Sequence, residues 1–175
     1  MLRKIAYTLL GLVVVVLLFA IAGEFLYEPM DKDKMGALIG NALVDYSVDC
    51  KEDFIGISIH GDIFDFYRYS LNNFTVDSSL HQFPNYEMLL NLSSVQNVSS
   101  STWKRTPIDS SDTKFYKQVA DFQNLMDADC SRKFVTKDYV NDTGNFFTYY
   151  SAYPVGTHFY ALVPDEKKLF VIRKK

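Results

Sequence analysis

The sequence is poor in the residue types that most catalytic and metal sites use. Its 175 residues include two cysteines, three histidines and one tryptophan. It has no glycine-rich phosphate loop, no nucleophile elbow, no H-E-x-x-H motif and no EF-hand pattern. The histidines, His60, His81 and His158, are far apart in the chain, and neither cysteine belongs to a C-x-x-C motif. We therefore expect neither a metal ion nor a cofactor.

An excess of basic residues is also absent. The chain has 18 Lys and Arg against 21 Asp and Glu, a formal net charge of -3. A nucleic-acid-binding protein needs a basic surface to neutralise phosphates, so we expect no nucleic-acid partner. With 48% hydrophobic residues the composition is typical of a folded protein, and the length fits one domain of ordinary size.

Charged residues are missing from Ile5 to Gly23, while Arg3 and Lys4 precede this stretch. As a helix, about 19 apolar residues span roughly 28 Å, enough to cross the hydrocarbon core of a bilayer. The positive flank predicts a cytoplasmic N-terminus. We predict that residues 1–23 are a single-pass membrane anchor, contacting the membrane through residues 5–23. Residues 24–175 are then a periplasmic or extracellular domain.

The same stretch has a second interpretation. Ala20-Ile21-Ala22 is an A-x-A pattern at the end of the apolar run, and a signal peptidase recognises such a pattern. Cleavage after Ala22 would remove residues 1–22 as a signal peptide and make the protein secreted. Both interpretations place residues 24–175 outside the cytoplasm.

Cys50 and Cys130 both belong to the translocated part. In an oxidising compartment an even pair predicts one disulfide bond, here closing a loop of about 81 residues; two free thiols are the alternative. The chain also carries four N-x-S/T sequons, which are glycan acceptors in a eukaryotic secretory protein and have no general meaning in a bacterium. Their asparagines are Asn73, Asn91, Asn97 and Asn141.

Helical periodicity follows the first apolar run. Asp31 is a helix N-cap, and one apolar stripe predicts an amphipathic helix to about Val48. A second amphipathic helix begins at Ser111 or Asp112 and ends near Ala128, just before Cys130. The predicted disulfide would then join the ends of the two helices. The apolar stripes consist of Met35, Leu38, Ile39, Ala42, Leu43 and Tyr46, and of Phe115, Val119, Phe122 and Met126.

A β-hairpin is predicted between the helices. Isoleucines alternate with smaller or polar residues from Ile55 to His60, Gly61-Asp62 is a favoured two-residue turn, and Ile63 to Leu71 is the returning strand. That turn sets the register and leaves one face nearly all apolar. The expected pairs are Ile59 with Phe64, Ile57 with Phe66 and Ile55 with Arg68.

Between this hairpin and the second helix the pattern is less regular. Residues 72–84 are loop-like, Tyr86 to Leu92 fits a strand or a short helix, and the Ser-rich residues 93–113 predict an exposed loop. Trp103 lies in that loop; folding back over the core and contacting a partner are its two interpretations.

The C-terminal third predicts an antiparallel meander. Its strands run over residues 146–153, 157–163 and 169–173, joined by two short Pro-containing turns. The fold class is therefore α+β: an N-terminal transmembrane helix, then a small domain with two amphipathic helices and an antiparallel sheet of about five strands.

Two classes of function are compatible with this sequence. The leading hypothesis is a membrane-anchored extracytoplasmic interaction or accessory protein without catalytic activity. Its partner surface would be the aromatic sheet, because more rings occur there than one core face needs. These residues are Tyr149, Tyr150, Tyr153 and Tyr160, together with Trp103.

The alternative is an anchored or secreted enzyme. Its acid-base residues would be His60, Asp62 and Asp65 at the hairpin tip, because a histidine serves as a general base when an aspartate orients it. The turn itself also accounts for Gly61-Asp62, and a histidine at a strand end is commonly a surface residue.

Overall fold

The computed structural model describes residues 10–15, 30–41, 43–55, 62–90, 95–120 and 129–175. The chain divides into two compact units, Met1–Asp31 and Lys32–Lys175. In the first unit residues 10–15 are helical. Among the described residues no helix is both long and apolar enough to span a membrane. Apart from residues 10–15, the predicted anchor lies outside the described part.

The second unit contains four α-helices and seven strands within the described residues. The helices are α1 (Lys32–Ile39), α2 (Tyr86–Leu89), α3 (Thr113–Val119) and α4 (Asp129–Thr136). The strands are β1 (Asp45–Asp53), β2 (Phe64–Asn72), β3 (Gln96–Ser100), β4 (Lys104–Arg105), β5 (Phe146–Tyr153), β6 (Gly156–Val163) and β7 (Lys168–Lys174). Short 3₁₀ turns occupy Leu80–Gln82 and Pro164–Glu166.

All seven strands form one antiparallel sheet. Its order is β1-β2-β7-β6-β5-β3, and β4 also pairs with β5. The mixture of helices with an antiparallel sheet agrees with the predicted α+β class. The sheet has two more strands than the five expected, because β3 and β4 arise from a segment that predicts a loop.

The C-terminal meander is confirmed with small changes of boundary. β5, β6 and β7 pair consecutively. Gly156, which ends the first turn, has a φ of +91°, and a Cβ there would lie 2.3 Å from the backbone oxygen of Lys174. Only glycine fits both the left-handed backbone and this close approach. The local turn chemistry therefore makes this region the most predictable part of the sheet.

The first hairpin exists, but its predicted register is wrong. β2 pairs with residues 45–53 rather than 55–60, so Phe66 lies opposite Glu52 and Arg68 opposite Cys50. Ile55 lies beyond the strand, and residues 56–61, including His60, are outside the described residues. β1 is an edge strand with most side chains exposed. An edge strand does not need apolar alternation, which is why the sequence pattern did not identify residues 45–53 as the strand.

The first helix is shorter than predicted. α1 ends at Ile39, and Gly40 follows with a φ of +77° against the Phe83 ring, which lies 2.4 Å from where a Cβ would stand. Tyr46, the last residue of the predicted apolar stripe, and Val48, the predicted end of the helix, belong to β1 instead. Tyr46 packs edge-on against Tyr69 with the ring centroids 6.0 Å apart. Contact with the sheet thus replaces helical continuation.

The prediction of an exposed loop over residues 93–113 is also partly wrong. It contributes β3 and β4 to the sheet, and Trp103 folds back over the core with 4% of its surface exposed. The indole Nε1 donates a hydrogen bond of 2.7 Å to the backbone oxygen of Leu38. Pairing of β3 and β4 with β5 satisfies the backbone of this polar segment, a long-range effect that composition does not report.

The second predicted helix is present from Thr113 to Val119, after Asp112. Residues 121–128, which include Phe122 and Met126, lie outside the described residues. The prediction that Cys130 follows the end of the second helix is wrong, because Cys130 belongs to α4.

The two faces of the sheet carry different aromatic residues. The face covered by α3 and α4 carries mostly phenylalanine. The ring of Phe134 in α4 packs there, with its centroid 5.9 Å from that of Phe66 and 4.9 Å from that of Phe170. The opposite face carries mostly tyrosine. The strands contribute Phe64, Phe66, Phe147, Tyr149, Phe159 and Phe170 to the first face, and Tyr46, Tyr67, Tyr69, Phe146, Tyr150 and Tyr160 to the second.

The predicted cysteine pair is at disulfide-bonding distance. The sulfurs of Cys50 and Cys130 are 1.95 Å apart, and their Cα atoms are 5.9 Å apart, within the limit of about 7 Å for a bridge. The bond joins β1 to α4. Beside it, the Glu52 carboxylate accepts hydrogen bonds from the backbone N–H groups of Cys130 (2.6 Å) and Ser131 (3.2 Å). An anion suits these N–H groups at the start of a helix.

Replacement of both Cys50 and Cys130 by alanine is expected to lower the free energy of unfolding by about 2–4 kcal/mol, because the open chain gains conformational freedom when unfolded. Urea unfolding followed by tryptophan fluorescence measures the change. Wild-type protein with its bond reduced is the control and should lose a similar amount. Equal urea midpoints for oxidised and reduced wild type would contradict this expectation.

Candidate functional site

A row of polar side chains crosses four strands on the tyrosine-bearing face. Asp65 of β2 lies opposite Arg173 of β7, Arg173 opposite His158 of β6, and His158 opposite Tyr150 of β5. Directly opposed residues in antiparallel strands point to the same face. We call these four residues the polar row.

An ion pair closes one end of the polar row. The Arg173 Nη2 donates to the Asp65 carboxylate and, at 3.3 Å, to the hydroxyl of Tyr67. The guanidinium also lies 5.3 Å from the centroid of the Tyr67 ring. Burial raises the pKa of Asp65, while Arg173 acts in the opposite direction. The ion pair engages Asp65, one of the three predicted catalytic residues, so it is not poised as a free base.

His158 is the centre of the row and is largely buried. Its Nδ1 lies 3.4 Å from the hydroxyl of Tyr160. Burial, and then the nearby cation of Arg173, lower the pKa of His158 to about 3. The imidazole is therefore neutral at pH 7 and a weak base, unlike a general base tuned to the operating pH.

Tyr150 ends the row with a buried hydroxyl. Its oxygen has no hydrogen-bond partner among the described residues, and burial raises its pKa. Tyr86 of α2 packs on the Tyr150 ring, with centroids 5.1 Å apart, and its own hydroxyl lies 2.9 Å from Thr148 Oγ1. α2 therefore covers this part of the tyrosine face.

Of the predicted catalytic residues His60, Asp62 and Asp65, the structure describes two. His60 lies outside the described residues, Asp62 is exposed, and Asp65 belongs to the polar row. Within the described ranges no group of three or more His, Cys, Asp and Glu side chains could hold a metal ion.

The predicted aromatic partner surface is largely interior, which corrects the expectation of exposed rings. Tyr149, Tyr150, Tyr160 and Trp103 are buried, whereas Tyr153 is 69% exposed. Layers on both faces of the sheet cover the buried rings. Tyr149 stacks on Phe115 of α3 at 4.0 Å between centroids.

The Tyr149 hydroxyl is held by a buried carboxylate. It donates to Asp112 at 2.9 Å, and Lys104 Nζ lies 2.5 Å from the same carboxylate. Burial and Asp112 together raise the pKa of Tyr149 to about 12. These contacts assign Tyr149 to the fold rather than to a surface.

An exposed edge strand lies where the sequence indicated only a loop. β3 contains no charged residue, and Val98 at its centre is 52% exposed. Gln96, at its start, pairs with the exposed Tyr153. Arg173 is absent from the site residues that were predicted from the sequence, although it lies in the last predicted strand. The signal was its alternation with Leu169 and Val171 in the last strand.

Comparisons with protein-family models, curated proteins and solved structures found no match to this chain.

Replacement of His158 by glutamine is expected to reduce the acid sensitivity of the fold. Because the pKa of His158 is about 3 when folded and its usual value is 6.5, the unfolded chain binds more protons between these pH values. Stability contributed by the neutral imidazole is thus lost as pH falls below about 6.5. Between pH 7 and pH 4 the free energy of unfolding should therefore fall by about 3 kcal/mol less in the variant than in the wild type.

Urea unfolding at pH 7 and at pH 4 measures this difference. The raised pKa of Asp65 acts in the opposite sense, since its contribution to stability falls as pH rises. It is present in both proteins and cancels in the comparison. The same pH dependence in both proteins would show that His158 is not buried in its neutral form.

Proposed function

We propose that this chain is a membrane-anchored, extracytoplasmic interaction or accessory protein without catalytic activity. The pairing of Cys50 with Cys130 is compatible with the oxidising compartment expected for residues 24–175. The uncharged residues 5–23 after Arg3 and Lys4 support an anchor with a cytoplasmic N-terminus.

The exposure of the Tyr153 side chain is the observation that best supports the interaction role. It is the one predicted partner residue that the sheet leaves exposed, and tyrosine is enriched in protein interfaces because its ring is rigid and amphipathic. The enzyme alternative, which uses His60, Asp62 and Asp65, has less support, since Arg173 engages Asp65. The partner is a protein that packs an apolar side chain against the Tyr153 ring.

Replacement of Tyr153 by alanine should weaken capture of this partner at least tenfold while leaving the melting temperature nearly unchanged, because the ring contacts solvent more than the core. Affinity purification of the detergent-solubilised full chain, with quantitative mass spectrometry of co-purified proteins, measures capture. Met88→Ala is the matched control, since Met88 is a similarly exposed apolar residue, at 64%.

Two results would count against this proposal. One is equal capture by wild type and Tyr153→Ala; the other is an equal loss with Met88→Ala. A large fall in melting temperature for Tyr153→Ala would instead assign the ring to the core.

The anchor leads to a separate expectation. The mature protein should retain Met1 or Leu2 and remain in the membrane fraction after alkaline extraction, because roughly 19 apolar residues partition strongly into the bilayer. N-terminal sequencing of membrane-extracted protein measures this. A mature chain that begins at Gly23 would favour the secreted form.

A further inference from the structure

The start of helix α4 is fastened to the sheet by one covalent bond. Cys130 of α4 is bonded to Cys50 of β1, and Glu52 of the same strand accepts hydrogen bonds from the backbone N–H groups of Cys130 and Ser131. In the described sheet β1 is an edge strand that pairs with β2. The first turn of α4 is therefore attached to the edge of the sheet rather than to its centre.

The chain that follows α4 is held by hydrogen bonds and burial. Asp138, with a φ of +49°, turns the chain directly after the helix. The Tyr139 hydroxyl then donates to Glu166 at 2.8 Å, and the backbone oxygen of Val140 accepts from the N–H of Ile108 at 2.9 Å. Tyr139 and Val140 are both buried. The turn at Asp138 thus joins α4 to a firmly held segment.

The Phe134 ring holds the middle of α4 against the sheet. It is 1% exposed and packs on the buried rings of Phe66 and Phe170. Moving α4 away exposes these rings to water, which costs free energy, and the disulfide prevents the first turn from leaving β1. Once that bond is broken, only noncovalent contacts oppose the movement, because a helix of eight residues adds little stability of its own.

We propose that α4 is a redox-sensitive flap: reduction of the Cys50–Cys130 bond lets the helix swing off the phenylalanine-bearing face about the turn at Asp138, while the sheet stays folded. A dithiol reduces the bond by becoming a cyclic disulfide, and its two electrons and two protons convert both cysteines to thiols. Cys50 is only partly buried, which gives the dithiol access. In an oxidising compartment the flap stays closed, and it opens where such a reductant acts. The opening is local because the pairing of β2, β7, β6 and β5 does not involve α4.

The test measures how Cys130 becomes reactive in the full chain, held in detergent micelles. Cys50→Ala leaves Cys130 as the single thiol, and its alkylation by a maleimide is followed at urea concentrations below the unfolding transition. Local opening exposes little surface, so the alkylation rate should be nearly independent of urea, whereas global unfolding gives the full urea dependence. Wild-type protein that is reduced and then freed of dithiothreitol repeats the measurement without a substitution, and mass spectrometry of the alkylated peptides identifies Cys130.

Ala161→Cys, in a chain whose two native cysteines are alanine, is the matched control. Ala161 is 2% exposed and Cys130 is 5% exposed, but Ala161 lies in β6 at the middle of the sheet. Its introduced thiol should react only through global unfolding, with the full urea dependence and at least tenfold more slowly than Cys130. The same rate and urea dependence at both positions would overturn the proposal, as would a Cys130 that does not react below the unfolding transition.

A second pair of variants, made in the Cys50→Ala chain, separates opening of the whole flap from fraying of its first turn. Phe134→Leu should speed the alkylation of Cys130 at least tenfold, because the Phe134 ring must leave the core when the flap opens. Phe147→Leu changes an equally buried ring that stacks on Phe159 at 6.1 Å between centroids, and it should leave the urea-independent rate unchanged. A rate that Phe134→Leu does not change would show that only the first turn frays, and it would overturn the flap.

Discussion

Burial of strands β6 and β7 on both faces is the constraint on which the rest of the domain depends. They lie at the middle of the sheet, and from Phe159 to Val163 every residue of β6 is buried. A sheet buried on both faces needs a covering layer on each side. On one face α3 and α4 supply that layer. On the other, α2 packs through Tyr86, and Trp103 bonds to α1.

The choice of aromatic residue differs between these two layers. Phenylalanine dominates under α3 and α4, where an apolar ring needs no hydrogen bond. Tyrosine dominates on the opposite face, where the polar row supplies partners: Tyr67 receives a bond from Arg173, and Tyr160 lies beside His158. A buried hydroxyl without a partner costs about 1–3 kcal/mol. The bond from Arg173 removes that cost for Tyr67, whereas the buried Tyr150 hydroxyl has no partner among the described residues.

The disulfide and the Glu52 cap hold the α4 layer in place. α4 has only eight residues, too few for an isolated helix to be stable in water. The covalent bond fixes its first turn to β1, and Glu52 binds the same turn's N–H groups. Phe134 then fills the space between Phe66 and Phe170. The disulfide and the Glu52 contacts at the start of α4 thus position Phe134, further along the same helix, in the core.

The sequence by itself determined the features that depend on local chemistry. The α+β class, the C-terminal meander with its Gly156 turn and the Cys50–Cys130 pairing follow from alternation, turn residues and cysteine count. Tertiary structure alone decided the register of β1, the recruitment of β3 and the alignment of Asp65, Arg173 and His158. Each depends on which distant strand lies alongside, and contact with that strand outweighs local propensity because it decides which side chains are buried.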